Sequence, residues 1–345
     1  MKKSFLVSML AGAAMLFNGV AYAEDFEISL QTMYNPAQQQ MKDVFEPFAK
    51  EVGELSKGSL KVNVFGVGSL VPALQEADAV KAGNLDIGQC ALTHPKETPY
   101  AYLLSMIPDM CDTIADTAVF PQIVYDSVPE LKKEYDSIGV PLGWIVYVPQ
   151  VICATNGLIK TPADMKGKRI LVTAPNQSLL VEAWGGTPVM VALSDVYIGL
   201  QRGMGEAYMS GSAWCKGSKI YEVAKYITQV GYPNTNVMPL AMNKELFDDL
   251  SDEQRKIIID TGKKYFGQIF IDSFVKENDL AIQLFKDNGC EFYVPTSEER
   301  AQWQEANKKM VAVANDRLKE LGVNDGQQIL DKIYKSLDDA GYHKN

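Results

Sequence analysis

The sequence predicts an α/β protein built as two lobes. Three observations carry this. Strand-like and helix-like stretches alternate from about residue 27 onward, and such alternation gives parallel sheets with helices on their faces. The 345 residues exceed what one ordinary core organises. With 47% hydrophobic residues, including 16 Tyr, 13 Phe and 4 Trp, the chain has the material for more than one core.

Lys2 and Lys3, an apolar run from Phe5 to about Phe17, and Ala21-Tyr22-Ala23 have the three parts of a secretory signal cleaved after Ala23. The apolar run is too short to span a bilayer. A mature, periplasmic chain starting at Glu24 is expected, not embedded in the membrane. Glu27 to Thr32 reads as the first strand. Asn35-Pro36 opens a helix to about Ser56, with Met41, Val44, Phe45, Phe48 and Val52 spaced by three and four. Leu60 to Phe65 alternates as a half-buried strand, Gly66 to Pro72 is a loop, Ala73 to Ala82 a helix, and Leu85 to Ile87 a short strand. A second lobe opens near Pro149. Its strands are Val151–Ala154, Arg169–Thr173, Glu206–Met209 and Tyr226–Val230, and Asn236–Met242 is a further strand. Its helices run from Pro175 to Trp184, entered through an Asn or Ser cap, from Ser194 to Arg202, and from Ser212 to about Ala224. Ser251 to about Asn288 reads as one long helix with room for a break, and the tail from Ser297 is helical and charged. The expected partition is 24–148 with 236–275 in the first lobe, and 149–235 with 276–345 in the second.

Loss of Lys2 and Lys3 takes the net charge from −10 to −12. No basic run is present, so a nucleic-acid partner is excluded, and a charge of this size favours a freely diffusing monomer. The five cysteines (Cys90, Cys111, Cys153, Cys215, Cys290) show no CxxC spacing and read as small buried apolar residues. His94 and His343 are the only histidines. No metal site, cofactor motif or nucleophile–base pair follows from these residues, which argues against an enzyme. There is no GxxxxGK[ST] phosphate loop.

Several stretches resemble one family in order and spacing. Thr161-Pro162-Ala163-Asp164-Met165-Lys166-Gly167-Lys168-Arg169-Ile170 is similar to its D-(L/M)-K-G signature. Gly186-Thr187-Pro188, Asp195-Val196-Tyr197-Ile198-Gly199-Leu200-Gln201-Arg202-Gly203 and Lys219-Ile220-Tyr221-Glu222-Val223-Ala224-Lys225-Tyr226 resemble its G-A-x-P, E-V-Y-x-A-L-Q-x-G and K-F-Y-E-V-x-K-Y. Phe48-Ala49-Lys50-Glu51-Val52 and Lys81-Ala82-Gly83-Asn84-Leu85-Asp86 resemble first-lobe counterparts. The family is that of the solute receptors of tripartite ATP-independent periplasmic (TRAP) transporters, the DctP-like proteins. The resemblance implies a periplasmic-binding-protein-like fold, with a ligand cleft between the lobes and a long helix spanning both. It also implies a small and a large integral membrane protein as partners.

The sequence departs from that family where a ligand carboxylate is normally held. The arginine of the family's K-I-R-V strand falls at Leu171, and Arg169 lies two residues earlier, one pleat away on the same face. A second arginine of acid-sugar binders falls at Val151, and the asparagine of E-N-P at Ser210. Arg169 therefore either reaches the cleft through a register shift or sits solvated at the strand start. The resemblance places Tyr34, Asn35, Tyr147, Gln150, Pro175, Asn176, Gln177, Tyr208, Ser210, Ser212, Trp214, Tyr232, Asn234 and Asn236 around the cleft. Two ligand classes suit this lining. One is a small organic anion, carboxylate or sulfonate, held by backbone N–H groups and hydroxyls at the helix starts Pro175 and Ser210, with Lys216 adding charge. The other is a cationic or neutral molecule held by Tyr and Trp faces. The family favours the anion. A ligand sensor for a signalling receptor is a rival reading of the same fold, as is an enzyme using Glu206 or a cysteine.

Overall fold

The computed structural model describes residues 25–92, 95–110, 118–146, 150–231 and 237–342. Strands β1 (Phe26–Gln31), β2 (Leu60–Phe65), β3 (Ile87–Gln89) and β4 (Val140–Val146) belong to one five-stranded sheet. Strands β5 (Gln150–Ala154), β6 (Arg169–Val172), β7 (Thr187–Met190), β8 (Ala207–Gly211) and β9 (Tyr226–Gly231) belong to a six-stranded one. The chain then returns: β10 (Val237–Met242) inserts between β3 and β4 in the first sheet, and β11 (Glu291–Tyr293) edges the second. This is the two-lobed architecture. The expected hinges near Pro149 and Asn234 lie outside the described residues.

The β1, β2 and β3 pairings are parallel, as the alternation of strand and helix predicts. The antiparallel β10, paired to both β3 and β4, makes the sheet mixed. Between β1 and β2 runs α1 (Glu46–Leu55), preceded by a π-helical turn at Met41–Phe45. The expected start at Asn35-Pro36 is instead a turn, in which the Gln38 N–H bonds the Asn35 carbonyl and the Gln38 side chain accepts from the Asn35 N–H. α2 (Glu76–Lys81) leads into β3. Helices α3 (Pro99–Ser105), α4 (Phe120–Ser127) and α5 (Pro129–Asp136) lie between β3 and β4. In the second lobe α6 (Pro175–Ala183) follows β6, α7 (Val196–Gln201) precedes β8, and α8 (Ser212–Gly217) leaves it. α8 stops well short of Ala224, because Lys219 adopts a left-handed φ of 55°.

After β10 come α9 (Lys244–Asp249) and α10 (Asp252–Lys264), the latter opened by a capping box between Ser251 and Gln254. A π-helical segment, Tyr265–Ile269, bends at Gly267, and α11 (Phe270–Asp287) continues to the second lobe. The long helix is therefore present and broken. α10 packs on α1 and β4, while α11 packs on α8 and β11, so the bend carries the helix from one lobe to the other.

The tail corrects the expected partition. α12 (Ser297–Asn307) packs on α6, α13 (Lys309–Glu320) on both α6 and α3, and α14 (Gly326–Asp339) on α3 and α4. The final helix thus belongs to the first lobe. It returns because its stripe of Ile329, Leu330, Ile333 and Leu337 needs an apolar face to cover, and α3 and α4 supply one. Cys90, Cys153, Cys215 and Cys290 are buried free thiols, as expected for them, and Cys111 lies outside the described residues.

The bend fits closely against β4. A Cβ on Gly262 would lie 2.6 Å from the Leu142 carbonyl oxygen, and one on Gly143 would collide with Phe266. Gly262→Ala is expected to destabilise the protein by about 1–3 kcal/mol through overpacking, read from urea denaturation midpoints.

Candidate functional site

A cavity of about 370 Å³ lies between the two sheets. The first lobe lines it with Met33 after β1, Val67, Ala73 and Leu74 from the β2–α2 connection, Ala91 after β3, and Met238 of β10. The second lobe contributes Gln150, Thr173 to Gln177 except Pro175, Val191 to Leu193, Tyr208, Ser210, Gly211 and Trp214. β6 runs parallel to both β7 and β8, so these residues cluster beyond the carboxyl ends of parallel strands, where α/β sheets leave a crevice. Among the described residues, none that lines the cavity carries a charge.

The first-lobe wall is set by a buried polar triad. Gln31 donates to Glu76 Oε1 at 2.8 Å, and the Gln89 N–H to Glu76 Oε2 at 2.8 Å. Gln31 in turn accepts from the N–H groups of Leu70 and Val71, and Gln89 from Thr32 and the Met33 N–H. All three side chains are fully buried. Burial pushes the Glu76 carboxyl from its ordinary 4.5 up to about 7, although both partners favour the charge. One network thus fixes the segments that carry Met33, Ala73, Leu74 and Ala91.

The second-lobe wall shows how the site goes without an arginine. Leu171 is fully buried and is not among the cavity's lining residues; Cβ atoms built on Gly199 and Gly205 would lie 3.0 and 2.8 Å from its methyl carbons. Beside it in register stands Tyr208 on β8, which does line the cavity. Burial pushes the Tyr208 phenol up, with Ser210 and Thr173 pulling weakly the other way. Arg169 is exposed at the other end of β6, where its Nη2 meets Glu206 Oε1 at 3.1 Å and the Gly203 carbonyl at 2.9 Å. Burial opposes ionisation of Glu206, but the Arg169 N–H and guanidinium outweigh it and hold that carboxyl below its usual range.

Several of the donors expected to hold an anion are engaged elsewhere. The N-cap of α6 is Ala174, not Asn or Ser. Gln177 reaches back instead, its Oε1 accepting from the Thr173 N–H at 2.8 Å and the Ala174 N–H at 3.2 Å. Ser212 donates to Asn278 of α11. Lys216 Nζ lies 3.0 Å from the buried Glu277 carboxylate, also on α11, and so its charge is cancelled away from the cavity.

The family model for bacterial extracellular solute-binding protein, family 7 (DctP), matches residues 31–316. The chain belongs to this family. It is a TRAP-type solute-binding protein, and the proteins around it are binding proteins of transporters. A solute-binding protein of Albidiferax ferrireducens is 22% identical over 76% of this chain and 77% of its own length. The 2,3-diketo-L-gulonate-binding periplasmic protein of Escherichia coli is 22% identical over 74% and 76%. Among solved structures, an extracytoplasmic solute receptor of Bordetella pertussis that binds pyroglutamic acid has a TM-score of 0.75 at 25% identity, covering 90% of this chain and 100% of that one. A TRAP solute-binding protein of Rhodoferax ferrireducens with copurified benzoate has a TM-score of 0.79 at 18% identity, covering 92% and 98%.

Of the residues that the sequence places at this receptor's cleft, Gln150, Asn176, Gln177, Tyr208, Ser210 and Trp214 line the cavity. Tyr34 lies behind it, stacked on Trp214 with ring centroids 6.1 Å apart. Asn35 is exposed in its turn, Arg169 and Leu171 do not reach the cavity, and Pro175 lines a neighbouring groove. Tyr147, Tyr232, Asn234 and Asn236 lie outside the described residues. The sequence reading missed Thr173 and the apolar wall, namely Met33, Val67, Ala73, Leu74, Ala91, Val191 to Leu193 and Met238. Thr173 closes the signature strand and was within reach of a pattern argument. The apolar residues look like core in any sequence.

Two outcomes test this geometry. Arg169→Ala is expected to change stability by less than about 1 kcal/mol, as for an exposed ion pair, and to leave solute affinity unchanged. Stability is expected to fall as pH rises from about 5 to about 7 and to level off above. In that window the unfolded chain has already released the Glu76 proton and the folded one has not. Urea midpoints at stepped pH measure this slope, and Glu76→Gln should lower it, leaving the share of Glu134, whose carboxyl burial likewise raises to about 7.

Proposed function

We propose that this chain captures a small uncharged organic solute between its lobes and delivers it to the integral membrane subunits of a TRAP system. The observation that carries the uncharged reading is the cavity wall, where neutral polar and apolar side chains stand with no charged residue among those described. A carboxylate or sulfonate moved into such a site loses its water without gaining a counter-ion. The organic-anion expectation from the family is weakened further because Gln177, Ser212 and Lys216 already spend their polar groups on the fold. The relatives' ligands, among them ectoine, galacturonate and aromatic acids, bound the size class but not the charge.

Capture works by lobe closure. A solute touching both walls favours the closed arrangement by its extra contacts there. Trp214 of the second lobe stacks on Tyr34 of the first at an interplanar angle of 23°, so aromatic faces of the two lobes meet beside the cavity. Delivery requires export, and we place the mature N-terminus at Glu24.

The test is a thermal-shift and calorimetric panel of uncharged amides and polyols, carboxylates, sulfonates and quaternary ammonium compounds. Uncharged members are expected to raise Tm, with affinities little changed by salt. Tight binding of a carboxylate or sulfonate would contradict the uncharged reading. Intact mass of exported protein should correspond to residues 24–345.

A further inference from the structure

Gln150 occupies an unusual place in the cavity wall. It pairs with Gly211 on β8 and with Gly231 on β9, so neither cross-strand neighbour has a side chain to answer its amide. The β5–β9 register slips between Gln150 and Val151, and such a bulge re-aims the side chain it carries. The side chain lines the cavity and is 8% exposed, and its Oε1 has no hydrogen-bond partner among the described residues. The Tyr208 hydroxyl, on the same cavity, is buried beside the Ser210 and Thr173 hydroxyls.

These two atoms differ in what they need. A hydroxyl gives or takes a hydrogen bond, whereas an amide oxygen only takes one. A closed cleft excludes the water that would otherwise satisfy it, and a buried acceptor left without a donor weakens binding by about tenfold or more. We infer that the cavity selects solutes that bring their own hydrogen-bond donor, an amide N–H or a hydroxyl, to Gln150 Oε1. The inference rests on the reading of this cavity as the solute site. The class it names is that of neutral amides, lactams and hydroxyl compounds. Their carbonyl or hydroxyl oxygen meets Tyr208, and their apolar remainder meets Met33, Leu74, Met238 and Trp214. A carboxylate or sulfonate offers only acceptors and would set like partial charges against Gln150 Oε1.

Matched probes separate the possibilities: benzamide, N,N-dimethylbenzamide and benzoate, and 2-pyrrolidinone with its N-methyl derivative, titrated by calorimetry at millimolar concentration. The N–H member of each pair is expected to bind about tenfold or more tighter than its N-methylated partner and than benzoate. Gln150→Met, which keeps the volume and removes the amide, is expected to shrink that gap to about twofold or less. A methylated probe or benzoate binding as tightly as the N–H member overturns the inference. So does a gap that survives Gln150→Met. If that variant does not fold, the comparison within each pair on the unaltered protein decides alone. Failure of every probe to bind folded protein would instead strike the reading of the cavity as the site for small uncharged solutes.

Discussion

A charge enclosed between two lobes needs a fixed opposite charge beside it, because neutral hydrogen bonds rarely replace the water it gives up. The second lobe of this receptor is arranged so that no such anchor faces the cleft among the described residues. Leu171 is packed against two glycines, Gly199 and Gly205, whose lack of a Cβ makes room for its methyl groups. Tyr208 stands beside it and takes the adjacent wall of the cavity. Arg169 and Lys216, the nearest cations in sequence, are each neutralised by a carboxylate outside it. In the proposed binding mode the solute's polar recognition falls to side chains such as Gln150, Asn176, Tyr208 and Ser210, which orient a molecule without balancing a charge.

The same economy organises the rest of the molecule. The bent helix through Gly267 lets one segment pack on β4 in the first lobe and on α8 in the second, directly behind Trp214. Ser212 and Lys216 tie α8 to that helix through Asn278 and Glu277. Movement of the second lobe is therefore coupled mechanically to the helix that crosses between lobes. On the opposite wall, Glu76 holds Gln31 and Gln89, and through them the loops that meet the solute. The cavity is thus shaped from two rigid sides.

Much of the fold was legible in the sequence because its signals are local. The alternation in Leu60 to Phe65, the capping box at Ser251, and the spacing of the family motifs all act within a few residues. What failed depended either on which nearby side chain captured a backbone group or on partners distant in sequence. Asn35-Pro36 looked like a helix start, but Gln38 turned its side chain to the Asn35 N–H and made a turn. The Asn and Ser near Pro175 looked like caps, but Gln177 displaced them. The tail looked like second-lobe structure until α14 found α3 and α4. At the site, the missing arginine was readable as Leu171, and so were several polar residues. That Ser212 and Lys216 were already engaged was not, since Asn278 and Glu277 lie more than sixty residues from them in sequence.

The central claim is that the natural solute carries no net negative charge. The most direct measurement is native mass spectrometry of protein purified without denaturation, followed by release and accurate-mass identification of the copurified molecule. A neutral compound bearing an N–H or O–H group, bound one per chain, is the predicted result. A carboxylate or sulfonate recovered at that stoichiometry, and rebinding to stripped protein, would contradict it.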